Sequence, residues 1–283
     1  MIRLFSIVVL VSLLTRFDAT AQLVAQPVEL TPPEVTAKSV YAVDLSNGRV
    51  IWEKNINEKR PVASTQKLMT ALIIAESGEL DSKLPVKHTD GQIEPRNMWI
   101  TQGSSYQKRL LLEVMLMRSY NDVTKCLARN HAGSQGQFAT LMNAKAAELG
   151  MDNSHFVNAH GLTEAGQHST ARDMMILAAA AYSNPEIRRI VQIKNSSFKY
   201  TGGKSVPVKN SNELLHTYSE CVGMKTGFTK AAGRCLIAAA VRGDKTVLAV
   251  VLGSNFDDVW TDSETVMRWS LDNLDIALPA GIV

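Results

Sequence analysis

The sequence predicts an α+β protein in which an antiparallel sheet packs against helices and a further helical lobe is present. Two observations indicate this class. Strand-like segments lie near both ends of the chain, as a hairpin at residues 39–53 and as three segments that begin at residue 221. The segments between them are helical in pattern. We therefore expect one sheet in which the first hairpin meets the last three strands.

The first 21 residues are typical of an export signal. A short positively charged start precedes an apolar run at residues 4–14, and Ala19-Thr20-Ala21 has the small residues of a signal-peptidase site. The run is shorter than the ~20 residues that span a bilayer, so we expect cleavage near Ala21, a periplasmic protein and no stable membrane anchor. An uncleaved anchor is the alternative, since Arg16 and Asp18 interrupt the approach to the cleavage site.

The rest of the chain suits one globular domain at residues 39–275, preceded by an extended leader at 22–38 and followed by a tail at 276–283. A net charge of +3 favours neither nucleic acid nor a strongly charged membrane surface as a partner. Three cysteines are too few for a disulfide framework. Cys221 and Cys235 can pair in an oxidising compartment, and buried free thiols are the equally valid alternative.

The helix that follows the first hairpin carries the first candidate site. Pro61 suits its start and Gly78 its end. On this helix Ser64 and Lys67 lie three residues apart and share one face. A serine hydroxyl beside an amine, at the positive end of a helix, can be a nucleophile with its own base if burial or neighbouring charge lowers the lysine pKa. Alone, the pattern is more often a capped helix with a solvated lysine, and the catalytic interpretation needs partners from further along the chain.

The central helices follow from their apolar patterns. Residues 110–117 are apolar nearly all round and predict a buried helix, and a second helix continues from Val123 to His131. An amphipathic helix runs from Gln137 to Leu149. Between the first two helices, Ser119-Tyr120-Asn121 puts a hydroxyl and an amide at an interior junction, which an ordinary capped turn also explains.

A long loop at residues 151–169 carries His155, His160 and His168, and Thr170 caps the helix that follows. The sequence has no His-Glu-x-x-His pattern and no matching carboxylate cluster, so these histidines do not predict a metal site. We expect neither a metal nor a cofactor.

The C-terminal part predicts strands at residues 221–225, 235–241 and 246–252 and a closing helix at 258–274. The first of these strands ends in Lys225-Thr226-Gly227. A lysine, a hydroxyl and a residue without a side chain along one edge would let an extended peptide lie against the strand.

The three motifs Ser64-x-x-Lys67, Ser119-x-Asn121 and Lys225-Thr226-Gly227, in this order, resemble those of the penicillin-recognising serine enzymes. Longer stretches resemble the low-molecular-mass penicillin-binding proteins, the serine D-alanyl-D-alanine peptidases. They are Arg60–Leu72, Ser169–Met174 and Lys225–Leu236. The resemblance runs from about residue 38 to about residue 270. The short ending, residues 142–151 and the Phe-Thr after the third motif are most similar to the D-alanyl-D-alanine endopeptidases of the penicillin-binding protein 7 group.

This resemblance implies the penicillin-binding/β-lactamase-like transpeptidase fold and a serine DD-peptidase domain at residues 39–275. It implies peptidoglycan peptides as substrates, β-lactams as inhibitors, and cleavage of cross-links through an acyl-enzyme on Ser64. Lys67 would take the Ser64 proton, and Ser119 would pass a proton to the departing amine.

The resemblance also implies the binding residues. Asn121 would hold the substrate amide and the lysine of the first motif. Lys225 and Thr226 would bind and polarise the substrate, and Gly227 would let the acyl group approach the backbone. The backbone N–H groups of Ser64 and Phe228 would form the oxyanion hole.

Two departures from the family pattern bear on the substrate. Tyr120 stands where many carboxypeptidases have glycine, and we expect it to narrow the groove. The late arginine that holds a terminal carboxylate has no clear counterpart in residues 253–257, which favours cross-links over free peptide ends.

Three alternatives stay open. One is a strict D-Ala-D-Ala carboxypeptidase. A class A β-lactamase would need a Glu-x-x-x-Asn arrangement, which Glu164 and its neighbours do not form. A non-catalytic penicillin-binding module need not keep Lys67 or Ser119, and both are present.

Overall fold

A computed structural model describes residues 31–274. The predicted signal peptide, most of the predicted leader and the tail at 276–283 lie outside the described residues. The strands are β1 (Ser39–Asp44), β2 (Val50–Lys54), β3 (Lys83–Pro85), β4 (Ser105–Gln107), β5 (Asn195–Lys199), β6 (Ser205–Lys209), β7 (Cys221–Thr229), β8 (Gly233–Arg242) and β9 (Lys245–Ser254). The helices are α1 (Lys67–Glu76), α2 (Lys108–Arg118), α3 (Asn121–Ala132), α4 (Gln135–Leu149), α5 (Ala171–Ser183), α6 (Pro185–Val191), α7 (Leu214–Thr217) and α8 (Val259–Asp272).

The main sheet has five strands in the order β2-β1-β9-β8-β7, and each neighbouring pair is antiparallel. The first hairpin therefore meets the last three strands, as the sequence predicts. β7 lies at an edge of the sheet, with one side paired to β8. This places the third motif on a strand whose other side can accept an extended chain.

Helices cover both faces of the sheet, which explains why β8 and β9 are apolar without alternation. Ile237 and Val250 belong to the larger core cluster, together with residues of α1, α2 and α3. Ala238 and Val251 belong to a second cluster that includes Met267 of α8. Adjacent residues of one strand point to opposite faces. Burial on both faces therefore requires apolar side chains at every position.

The predicted helices and the predicted cap are confirmed. α2 and α3 span the two predicted central helices, and Thr170 Oγ1 accepts a hydrogen bond from Asp173 N at the start of α5. Among residues 31–274, no helix combines the length and the apolar character needed to cross a membrane. Cys126, Cys221 and Cys235 are buried free thiols.

One strand boundary was predicted wrongly. The third motif lies within β7 and not at its end, because β7 keeps its pairing with β8 as far as Thr229 opposite Gly233. The chain turns back only after that pair. The motif is therefore held on one side by continuous backbone hydrogen bonds.

Candidate active site

Ser64 lies in a short 3-10 turn (Ala63–Gln66) that leads directly into α1. Two glycines pack against this turn. A Cβ on Gly161 would lie 2.2 Å from the carbonyl oxygen of Ala63, and one on Gly227 would lie 3.0 Å from the amide nitrogen of Ser64. Gly227 of the third motif thus leaves room for the close approach of the serine backbone to β7, where a Cβ would be crowded.

Lys67, on the first turn of α1, is fully buried below the serine. Its Nζ lies 2.9 Å from Ser64 Oγ and donates hydrogen bonds to Asn121 Oδ1 at 2.8 Å and to the His160 carbonyl oxygen at 2.5 Å. In the described chain these partners are all neutral oxygens. Burial, together with the positive charges of Lys225 and Arg96, holds the Lys67 pKa well below its usual value.

The second motif lies at the junction of α2 and α3. Ser119 ends α2 with a φ of 66°, and within the described residues its buried Oγ has no hydrogen-bond partner. Asn121 accepts from Lys67 and donates from Nδ2 to the Pro95 carbonyl oxygen at 2.7 Å. A left-handed residue at the helix end turns the chain sharply, so both side chains line a cavity that Ser64 also lines.

On β7, Lys225 is buried and its Nζ donates to the Thr226 carbonyl oxygen at 2.9 Å. Burial, and then the charge of Arg96, lowers the pKa of Lys225 to about 7. The Thr226 hydroxyl lies 2.9 Å from Ser211 Oγ. The charge of the buried Lys225 in turn weakens the affinity of Lys67 for a proton.

These groups surround one cavity of about 460 Å³, which we call the Ser64 cavity. The residues that line it are Ser64, Pro95, Arg96, Ser119, Asn121, Leu162, Thr226, Gly227, Phe228 and Arg234. Six of the eight site residues predicted from the sequence are in this set. The other two, Lys67 and Lys225, are buried beneath its floor.

Two arginines of the Ser64 cavity were missed by the sequence analysis. Arg234 pairs with Phe228 across the β7–β8 hairpin, and its guanidinium carbon lies 3.9 Å from the ring centroid of Phe256. Within the described residues its buried Nε has no hydrogen-bond partner. Residues 253–257 hold no counterpart of the late arginine, as the sequence indicates, but the described cavity offers two other guanidinium groups to a carboxylate. Counting the hairpin register would have found Arg234, whereas Arg96 lies in a loop without a pattern.

One other expectation about the groove is corrected. Tyr120 does not narrow the Ser64 cavity, because it is partly buried and packs against the core. Glu164 is exposed, and Leu162 is the residue of that loop that lines the cavity.

The comparisons with known proteins decide the family. A sequence model of the D-alanyl-D-alanine carboxypeptidase family, peptidase family S11, matches residues 26–255. The chain belongs to this family. It is a serine-type D-alanyl-D-alanine peptidase, as the order of the three motifs predicts.

The relatives of this serine peptidase carry the names of both activities. A D-alanyl-D-alanine carboxypeptidase of Mycobacterium tuberculosis is 33% identical over 251 residues, which are 86% of this chain and 86% of that protein. A D-alanyl-D-alanine endopeptidase of Pseudomonas aeruginosa is 31% identical over 287 residues, which are 96% of this chain and 91% of that protein.

Solved structures confirm the predicted fold. The Streptomyces K15 DD-transpeptidase superposes with a TM-score of 0.81 at 28% identity, over 86% of this chain and 100% of that one. A penicillin-binding protein homologue from Mycobacterium tuberculosis superposes with a TM-score of 0.85 at 29% identity, over 91% and 100%. The fold is that of the penicillin-binding transpeptidases.

Proposed function

We propose that this enzyme is exported to the periplasm and cleaves peptidoglycan peptides at D-alanyl bonds, cross-links included, through an acyl-enzyme on Ser64. The observation that carries the proposal is the 2.9 Å contact between Ser64 Oγ and the buried amine of Lys67, whose pKa burial holds well below its usual value. A lysine with a lowered pKa gives up its own proton more readily and can then accept the serine proton, which activates the hydroxyl as a nucleophile.

In the proposed acylation, Ser64 Oγ attacks the D-alanyl carbonyl carbon while Lys67 takes its proton. The backbone N–H groups of Ser64 and Phe228 receive the developing oxyanion, and such donors contribute about 3–4 kcal/mol each in a comparable serine hydrolase. The C–N bond then breaks, and the proton passes from Lys67 through the Ser119 hydroxyl to the departing amine. Within the described residues Ser119 Oγ makes no hydrogen bond, so the hydroxyl need not break one before it passes the proton on.

In deacylation, water attacks the ester carbonyl, Lys67 accepts a proton from the water, and Ser64 leaves as the restored hydroxyl. The result is a free D-alanyl carboxylate. β-Lactams would acylate the same serine and inhibit the enzyme, because their ring amide presents the same carbonyl to the nucleophile.

The proposed substrate lies as an extended strand along the free edge of β7, where Thr226 and Gly227 face it. The amine side of the scissile bond then meets Arg234 and Arg96. Among the described residues that line the Ser64 cavity, none is acidic, so both guanidinium groups can receive a carboxylate. A cross-link presents such a carboxylate where the diamino acid that donates its side-chain amine carries a second carboxyl group beside that amine.

The site assignment is tested by penicillin labelling. Mass spectrometry after brief treatment should place one adduct on the peptide that contains Ser64, and Ser64→Ala should abolish the adduct. Ser46→Ala, in an exposed turn of the first hairpin, is the matched control and should label normally. An adduct on another peptide, or labelling of Ser64→Ala, contradicts the assignment.

The choice of substrate is tested with a cross-linked muropeptide dimer and a pentapeptide monomer. We expect kcat/KM for the dimer to equal or exceed that for the pentapeptide, because Arg234 and Arg96 can receive a carboxylate on the amine side of a cross-link as well as that of a free D-alanine end. Arg234→Gln should lower both values by about 10- to 100-fold, because a charge-assisted hydrogen bond is lost. A pentapeptide preference of about tenfold or more would show a strict carboxypeptidase.

A further inference from the structure

Trp99 is a large apolar side chain that stays outside the core. It is 66% exposed, and its φ of 59° is unusual for a bulky residue. The loop around it is nevertheless firmly held. The buried Asp122 carboxylate accepts hydrogen bonds from Met98 N at 2.9 Å and from Ile100 N at 3.2 Å, on either side of the tryptophan. The fold thus fixes an exposed indole in an uncommon backbone conformation.

Beside the indole lies a groove of about 660 Å³, which we call the Trp99 groove. Its lining residues are Trp99, Thr101, Ser104, Tyr200, Thr201, Gly202 and Lys204. The turn between β5 and β6 forms one wall, and the Tyr200 hydroxyl ties this turn to the loop by donating to the Met98 carbonyl oxygen at 2.6 Å. Thr201 Oγ1 donates to Ser104 Oγ at 2.5 Å and so joins the two walls again.

The chemistry of this lining selects a type of ligand. It combines one exposed aromatic face with four hydroxyls and one amine, and none of these described residues is acidic. A pyranose ring has an apolar face of C–H groups that packs on an indole and a rim of hydroxyls that exchange hydrogen bonds with threonine and serine. An acetamido carbonyl would accept a hydrogen bond from Lys204.

The Trp99 groove is also joined to the Ser64 cavity through one loop. Arg96 lines the Ser64 cavity, and three residues later Trp99 opens the groove, a separation of at most about 10 Å between Cα atoms. Because Asn121 N donates to the Arg96 carbonyl oxygen at 2.9 Å, this loop is fixed to the second motif. In a cross-linked substrate, the stem peptide on the amine side of the scissile bond, which meets Arg96, would bring its own sugar to this region.

We propose that the Trp99 groove is a subsite for the N-acetylated amino sugars of the glycan to which the stem peptide is attached. The proposal rests on the proposed function, since the glycan arrives as part of the peptidoglycan substrate. It gives the enzyme a means to prefer peptides that are still joined to glycan over free peptides.

The kinetic test compares two substrates with the same peptide, one joined to its disaccharide and one without sugar. In the wild type we expect kcat/KM for the sugar-bearing substrate to be about tenfold higher, a margin of about 1.4 kcal/mol. Trp99→Gly should reduce this ratio to about one. Because glycine adopts positive φ freely, the same variant should lose no thermal stability. Leu141→Ala, an exposed apolar residue of α4, is the control and should keep the wild-type ratio.

A binding test uses Ser64→Ala and a peptide-free oligomer of N-acetylglucosamine. The oligomer should change the tryptophan fluorescence of Ser64→Ala, and it should leave Ser64→Ala/Trp99→Gly unchanged. A wild-type ratio near one, a ratio unaltered by Trp99→Gly, or an equal fall for both substrates would overturn the proposal. Failure of penicillin to label Ser64 would instead contradict the proposed function and would leave the binding test decisive for the groove.

Discussion

Two regions of this molecule differ in whether a cationic side chain has an acidic partner. Behind β3, Arg129 meets the buried carboxylate of Asp90 with two contacts of 2.7 Å, and hydrogen bonding to Asp90 raises the pKa of the arginine. Beneath the Ser64 cavity, Lys67 and Lys225 contact neutral oxygens, and burial lowers both pKa values. One region pairs its cation with an acid, and the other, in the described chain, does not.

The paired cation contributes to the stability of the fold, whereas the lysines without an acidic partner are suited to proton transfer. A buried cation with an acid partner stays charged and holds its neighbours in place, and its loss leaves an uncompensated carboxylate. A buried lysine without an acid partner destabilises the fold, but its amine is ready to accept a proton near neutral pH. The four predictions below test this contrast, beginning with the largest expected effect.

Replacing Lys67 by arginine should slow penicillin acylation by about 1000-fold or more, or about 4 kcal/mol of activation free energy. Arginine keeps the positive charge but cannot give up its proton at usable pH. The measurement is the rate of covalent labelling at saturating penicillin. Lys108→Arg is the matched control, because Lys108 is also buried but donates to the Gly78 carbonyl oxygen, away from the cavity. Near-normal acylation of Lys67→Arg would move the base to another residue.

Replacing Asp90 by asparagine should lower the free energy of unfolding by about 3 kcal/mol, because Arg129 would then be buried without its counter-charge. Asp90 also accepts a hydrogen bond from Lys87 N at 2.8 Å. Urea unfolding measures the loss, and the acylation rate of the folded protein should not change. Asp81→Asn, an exposed partner of Arg109, is the control and should have little effect. A loss of activity in Asp90→Asn without a loss of stability would contradict the assignment of Asp90 to stability and not to catalysis.

The sequence was sufficient for the parts of the fold and site that depend on local pattern. The first hairpin, the central helices and the last strands each carry their own apolar pattern, and all are confirmed. The three motifs were found because each is continuous in the chain. The structure also shows what makes them converge: Gly161 and Gly227 let separate segments approach the turn that holds Ser64.

The features that were missed depend on tertiary packing. Arg96 reaches the Ser64 cavity through a loop whose path is fixed by hydrogen bonds from α3, and no periodicity records such contacts. The short pairs β3–β4 and β5–β6 pack on the larger core cluster through Tyr106, Phe198 and Val208. A sequence signal did exist for α6, because Asn184 caps it and Pro185 occupies its first turn.

A third prediction uses the pH dependence of stability. In the folded protein the pKa of Lys225 is about 7, well below its usual value, so between about pH 7 and 10 the unfolded chain binds more protons. The free energy of unfolding therefore rises with pH over this range, by at most about 1.4 kcal/mol per pH unit for one group. Lys225→Met should flatten the rise by up to about 2 kcal/mol between pH 7 and 9. Urea titrations at several pH values measure it, and equal slopes in both proteins would show that Lys225 has an ordinary pKa when folded.

The smallest effect is expected at the surface, where Arg242 contacts Glu220 at 2.5 Å and Asp272 at 2.6 Å. The arginine is 42% exposed, so solvent screens both pairs and the ordering of three side chains offsets much of the attraction. Arg242→Ala should therefore lower the free energy of unfolding by less than about 1 kcal/mol, in spite of contacts as short as those of Arg129. The remaining difference should shrink in 1 M salt, where the screening length is about 3 Å. Urea unfolding at low and high salt measures both quantities. A salt-independent loss as large as that of Asp90→Asn would mean that contact distance, and not burial, sets the strength of ion pairs in this fold.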